Sequence, residues 1–141
     1  MTTAAIADRA GTLSVFISHG GRDAGLAKRI DTELKKLGLH AASAAPNRSA
    51  GAEWRASVQA AITRSDAMII VASAPQSLSS GWTSYETGVA EALGKPVILL
   101  LPSRYPMTEV PEDFASIQVV DFDPQAPERA AREIAWRLEA A

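Results

Sequence analysis

Met68-Ile69-Ile70-Val71-Ala72 is apolar at every position. A strand with one wet face alternates polar and apolar side chains. A strand with no polar position is covered on both faces, as in the middle of a parallel sheet. Parallel neighbours need crossover connections, usually helices, and the flanking sequence supplies them. Upstream, residues 53–64 place Trp54, Val58, Ala61 and Ile62 on one face of a helical period. Downstream, a Ser-rich loop over 75–81 leads into a helix that starts at Trp82 and stops at Gly94.

The same alternation extends in both directions. Residues 13–18 read as a first strand, broken by Gly20-Gly21. A helix follows, with Leu26, Ile30, Leu34 and Leu37 on its apolar face, Asp23 in its first turn and Gly38 at its end. Residues 39–43 form a weak, alanine-rich second strand, and 44–52, with Pro46, Asn47, Ser49 and Gly51, an exposed loop. The fourth and fifth strands fall at 96–101 and 117–122, with three prolines between them at 102, 106 and 111. A last helix over 127–139 turns Ala131, Ile134, Ala135 and Leu138 inward. Trp136 lies off that stripe, where it either covers a sheet edge or marks a contact surface. The expected class is α/β: a flavodoxin-like, doubly wound, five-stranded parallel sheet of order 2-1-3-4-5 with helices on both faces. Residues 1–11 read as a flexible N-terminal segment and 12–141 as one domain.

Apolar residues make up 47% of the chain and charged residues 21%, with a net charge of −2. No basic excess supports binding to nucleic acid or an anionic membrane. The longest strongly apolar run, Val97 to Leu101, is too short to span a bilayer, and residues 1–12 lack the apolar core of a signal peptide. Absence of cysteine excludes disulfides, thiolate metal sites and thiol nucleophiles. A cytoplasmic protein is expected.

Glu86 is the least ordinary residue. Trp82, Tyr85, Val89, Ala90 and Leu93 share one apolar stripe of the helix at about 100° per residue, and Glu86 falls inside it, whereas Glu91 points away. A carboxylate directed at a core or cleft is costly unless paired or used. In this fold ligands sit outside the carboxyl ends of the strands, where strand order reverses. Residues 18–22, 73–82 and the loop over 44–52 reach that rim, and Glu86 should face it. Gly20-Gly21 before a helix reads as a tight turn or a phosphate cradle, with Arg22 a surface arginine or a diphosphate partner. His19 is a rim residue open to a ligand hydrogen bond, and His40 a strand or surface residue. Neither has metal partners at ligand spacing, so no metal is expected. Ser79 and Ser80 lack a nucleophile elbow. A structural ion pair of Glu86 with Lys95 or Arg22 is the alternative to a functional carboxylate.

Taken together these residues resemble a TIR domain of the bacterial kind. Val15-Phe16-Ile17-Ser18-His19, then Asp23, is similar to the family's opening strand and loop, and 26–38 to its first helix. Gly51-Ala52-Glu53-Trp54 resembles the exit of the BB loop. Residues 62–71, with Ser65-Asp66, resemble the entry to the third strand. Trp82, Tyr85 and Glu86 fall on the W-x-x-x-E pattern, and Gly94-Lys95-Pro96-Val97-Ile98 is similar to the fourth strand. The resemblance covers residues 12–140. Two features depart from it: Asn47-Arg48 stand in a loop that often carries acidic and aromatic residues, and the helix after the fourth strand is reduced to 103–114.

The resemblance implies cleavage of NAD⁺ between nicotinamide and ribose, with NAD⁺ as substrate and no cofactor. It places the catalytic carboxylate at Glu86. Trp82 and Tyr85 stand beside it, and Ser18, His19, Gly20, Gly21 and Arg22 are candidate substrate contacts. It also implies homotypic TIR–TIR assembly, with Asn47, Arg48 and Gly51 in the contact loop. The chemistry is coherent, because nicotinamide is already a cationic leaving group and one carboxylate can stabilise an oxocarbenium-like transition state. The alternative is a non-catalytic interaction module that acts through homotypic assembly. A nucleoside deoxyribosyltransferase, with a related fold and a glutamate of its own, is a third reading that the W-x-x-x-E spacing disfavours.

Overall fold

A computed structural model describes residues 13–43, 52–79 and 81–140. The strands are β1 (Ser14–His19), β2 (His40–Ser43), β3 (Ala67–Val71), β4 (Val97–Leu101) and β5 (Gln118–Asp121). The helices are α1 (Ala24–Lys36), α2 (Ala52–Arg64), α3 (Gly81–Ala92) and α4 (Pro127–Ala140). All strands are parallel, in the order β2-β1-β3-β4-β5. This is the expected doubly wound sheet, with the order reversal between β1 and β3.

The wholly apolar reading of β3 is borne out, since all five of its residues are buried. Its register joins Val15 to Ala67 on one side and Met68 to Val97 on the other. Side-chain alternation then divides the interior into two cores. Val15, Ile17, Ile69, Val71, Ile98, Leu100 and Val120 pack with Ile30 and Leu34 of α1 and Ile134 and Leu138 of α4. On the other face, Phe16, Met68, Ile70, Leu99 and Leu101 pack with Trp54, Val58 and Ile62 of α2 and Ala90 of α3.

Helix ends follow local chemistry. Gly38 (φ 88°) and Gly94 (φ 70°) take the left-handed conformation that a side chain resists. Leu39 N–H then closes on the Leu34 carbonyl at 3.1 Å, and Lys95 N–H on the Ala90 carbonyl at 2.9 Å. Pro127 opens α4, where its missing N–H costs nothing. At the bottom of the sheet, the Asp66 carboxylate accepts from Ser14 N–H at 2.9 Å and fixes the start of β1.

Two expectations change. Leu93, assigned to the inward stripe, is 45% exposed, because it lies past the last residue of α3 where the Gly94 turn swings it outward. Trp136 is 65% exposed on α4 and covers no sheet edge. The β4–β5 connection carries two short 3₁₀ turns, Met107–Glu109 and Glu112–Phe114. Phe114 plugs that connection into the core at 1% exposure. The N-terminal segment 1–11 lies outside the described residues, as do Asn47, Arg48 and Gly51. No helix among the described residues is long and apolar enough to cross a membrane.

Candidate functional site

Glu86 sits one turn into α3 and is 1% exposed. Its neighbours on the inner face are Thr83, Thr87 and Ala90, all buried. Trp82, Tyr85 and Val89 flank this line half-buried, packed against the α2 core. The centre of the inward face is therefore polar, and its middle member is the carboxylate. A carboxylate this deep needs donors. Ser18, at the C-terminal end of β1 and also 1% exposed, donates its hydroxyl to Glu86 Oε1 at 2.6 Å. The bond joins the ends of β1 and α3 at the reversal in strand order, where this architecture binds ligands.

The loop after β1 is tied to the same rim. Asp23 is 1% exposed, and its Oδ2 accepts from Ser73 N–H, just beyond β3, at 3.2 Å. The first-turn dipole role expected for Asp23 is thus joined by a cross-link between the loops after β1 and β3. Gly20 is buried, and a Cβ there would stand 3.2 Å from the Ser77 carbonyl. Its carbonyl accepts from Asp23 N–H at 3.0 Å and from His19 Nδ1 at 2.8 Å. Gly20 thus serves close backbone packing. Gly21 and Arg22 are exposed, with open space around Gly21. Ser77 and Thr83, 5% and 0% exposed, carry hydroxyl oxygens with no hydrogen-bond partner among the described residues.

Trp82 meets Trp54 edge to face, with ring centroids 4.1 Å apart at 66°, and Tyr85 lies 6.0 Å from Trp54. Such pairs add to the apolar burial itself. Gln59 Nε2 donates to the Tyr85 hydroxyl at 3.3 Å. An open cleft of about 280 Å³ lies alongside, lined by Arg55, Gly81, Trp82 and Tyr85.

The sequence-derived candidates therefore separate. Ser18, Trp82, Tyr85 and Glu86 come together on the α2–α3 side of the sheet. Gly20, Gly21 and Arg22 stand at the rim above them. His19 follows Ser18 by one residue, so its ring faces the α1 side, where it lines a different pocket. His40 is exposed at the start of β2. Among the described residues no group of acidic residues and histidines could hold a metal ion. Sequence reading passed over Trp54 as a partner of Trp82, and Ser18 as the donor to Glu86. The first contact is long-range and leaves no local signal. The second follows from the parity of β1 once its register is known.

Comparisons with known proteins agree with this architecture. Three solved structures share the fold at low identity. One is a Burkholderia pseudomallei protein described as pilus assembly-related, with 14% identity and a TM-score of 0.55, over 90% of this chain and 92% of that one. Another is a CMP N-glycosidase of Clostridium botulinum, with 18% identity and a TM-score of 0.54, over 91% and 99%. The third is the Vibrio vulnificus NanR protein complexed with ManNAc-6P, with 17% identity and a TM-score of 0.53, over 97% of this chain and 50% of that one. No curated protein matches the sequence significantly. The TIR domain family model matches residues 15–136. With the W-x-x-x-E helix, the strand order and the matched span in agreement, the chain belongs to the TIR domain family.

Proposed function

We propose that this TIR domain cleaves the nicotinamide–ribose bond of NAD⁺. The observation that carries the reading is the Ser18–Glu86 pair: a buried carboxylate, held by a hydroxyl, at the strand-order reversal beside Trp82. In the proposed reaction the bond between the nicotinamide nitrogen and ribose C1′ breaks. Nicotinamide leaves with the bonding pair and becomes neutral, so no general acid is needed. Glu86 stabilises the positive charge that develops on the ribose. Water then adds at C1′ and loses a proton to give ADP-ribose. Alternatively an adenine nitrogen adds and gives a cyclic isomer. Trp82 would supply a planar wall, and the exposed Gly21 and Arg22 at the rim would meet the diphosphate. The CMP N-glycosidase with this fold also acts on an N-glycosidic bond; that likeness concerns the fold, and the residues carry the argument.

At 1% exposure Glu86 must be uncovered before it meets a substrate. This fits a domain that is quiet as a monomer and turns active when homotypic assembly remodels the rim, in line with a bacterial defence or signalling role. The same closure also favours a second reading, a non-catalytic assembly module in which Ser18–Glu86 only ties α3 to β1.

The test is nicotinamide release from NAD⁺ against protein concentration, with light scattering in parallel, for the wild type, Glu86→Gln and Glu86→Ala. Under the enzymatic reading release rises with assembly, and both substitutions lower it by at least about a hundredfold, the scale of losing one stabilising group at a developing charge. Equal, negligible turnover by all three in assembled samples leaves the scaffold reading.

A further inference from the structure

The structure assigns Trp136 to an interface between copies of this chain: the outer stripe of α4 on one copy seats in an acidic cavity beside α3 of the next. Arg129, Arg132 and Trp136 are all exposed and, at about 100° per residue, stand within one narrow stripe of α4. A lone exposed apolar residue needs no explanation. A tryptophan left 65% exposed and flanked by arginines is different, because Trp and Arg are the residues that anchor interfaces. The ion pairs among the described residues are Lys35–Asp31, Lys36–Glu33 and Arg137–Glu133, so Arg129 and Arg132 join none of them. Glu133, the acidic neighbour of the stripe, is balanced by Arg137 at 2.9 Å. The stripe is therefore cationic with an aromatic tip.

Charge and place identify the occupant. An open cavity of about 330 Å³ lies between α3 and the turn Glu112–Phe114. Ser84, Thr87 and Glu91 line it from α3, and Asp113 and Phe114 from the turn. Phe114, 1% exposed, gives it an aromatic floor. Glu91 and Asp113 are exposed carboxylates outside the ion pairs named above. Cavities elsewhere on the described residues carry cations: Lys28 in one, Arg55 in another, Arg129 and Arg137 in a third. Those repel a knob flanked by arginines, and this one attracts it. Arg132 lies one turn from Trp136 and Arg129 two, about 6 and 10 Å along the axis, so both can reach carboxylates around a seated ring. Knob and cavity cannot meet within one chain. α4 packs on one face of the sheet through Ile134 and Leu138, and α3 and Phe114 on the other. The contact is therefore heterologous: each copy gives its stripe to one neighbour and its cavity to another, and the chain of copies grows unless a ring closes. This deepens the assembly part of the proposed function, yet involves neither Glu86 nor the loop over 44–52, so it stands or falls apart from NAD⁺ cleavage.

The experiment is sedimentation equilibrium of the full chain at low salt over a concentration series. The samples are the wild type, Trp136→Ala, a stripe reversal (Arg129→Glu/Arg132→Glu), a cavity reversal (Glu91→Arg/Asp113→Arg), and an equimolar mixture of the two reversals. Every substituted position is exposed, and thermal melts check that each variant is folded. The wild type should self-associate with a dissociation constant of about 1 mM or below, in the range of weak, transient contacts. Trp136→Ala should weaken association by about thirtyfold or more, the scale of losing a tryptophan anchor. Each reversal alone should weaken it by about tenfold or more, because it sets like charges against each other. The mixture should associate close to the wild-type level, since each variant's stripe then complements the other's cavity. Glu86→Gln should associate like the wild type whether or not nicotinamide is released. Four results overturn the proposal: the wild type stays monomeric throughout; Trp136→Ala associates as the wild type does, which places the contact elsewhere; either reversal alone associates as well as the wild type; or the mixture stays as weak as its separate components.

Discussion

Substituting Ser18→Ala removes one oxygen atom and tests the central contact. The Ser18 hydroxyl lies 2.6 Å from Glu86 Oε1, and both residues are 1% exposed. A hydrogen bond to a charged group contributes about 1.5–3 kcal/mol, and a buried acceptor that loses its donor forfeits that amount. Unfolding entropy is about 2.1 cal/mol/K per residue, so for a domain of roughly 130 residues each kcal/mol moves the melting temperature by about 3–4 °C. Ser18→Ala is therefore expected to melt about 5–10 °C below the wild type. The companion variant is Glu86→Met, which keeps the side chain's length and removes its charge. When both partners are replaced by apolar groups, the cost of the lost bond disappears. The double variant Ser18→Ala/Glu86→Met should then recover most of the loss. Urea unfolding of the four proteins at neutral pH gives the coupling energy directly. A coupling below about 0.5 kcal/mol, with Ser18→Ala melting within about 1 °C of the wild type, would refute the buried bond and the site built on it.

Asp23→Ala deprives Ser73 N–H of its acceptor at the rim and should cost about 1–3 kcal/mol in urea unfolding; a change under about 0.5 kcal/mol would show that the cross-link is not held in solution. Gly88 lies exposed within α3 with open space where a Cβ would stand, so Gly88→Ala should stabilise the domain by about 0.5–1 kcal/mol and leave nicotinamide release unchanged. At Gly20 a Cβ would press on the Ser77 carbonyl at 3.2 Å, so Gly20→Ala should lower the melting temperature where Gly88→Ala raises it.

What the sequence disclosed and what it concealed divide along the range of the interactions. Met68 to Ala72 announced a central strand because burial on two faces leaves no room for a polar residue, and the sheet order followed from crossover rules. Helix ends at Gly38 and Gly94 were legible because positive φ selects glycine. The inward position of Glu86 was legible from helical period, but the face was drawn through Trp82, Tyr85 and Leu93. The buried line runs instead through Thr83, Glu86, Thr87 and Ala90, a small rotation that apolar counting could not see because two of those residues are threonines. Ser18 and His19 were grouped as rim residues, yet strand parity sends them to opposite faces. The Trp54–Trp82 contact joins two successive helices across the intervening β3, beyond the reach of any local period, and the 3₁₀ turn Pro75–Ser79 is too short to imprint a period.

Stability also favours Glu86 as the strongest candidate for a functional residue. A hydroxyl–carboxylate pair buried at 1% exposure adds little net stability over an apolar pair of similar volume. The fold alone, with two apolar cores and five parallel strands, has no need of it. A domain that served only to assemble would be as sound with methionine and alanine at these positions. Glu86→Met therefore separates the two readings more cleanly than Glu86→Ala, because it preserves packing while removing charge. If the Ser18→Ala/Glu86→Met protein folds, assembles with the wild-type concentration dependence and releases no nicotinamide, the carboxylate serves chemistry. If it folds and assembles while the wild type also releases none, the pair is a structural remnant of the rim. If it folds but no longer assembles, Ser18–Glu86 shapes the contact surface itself, and the scaffold reading gains the residue that seemed to argue against it.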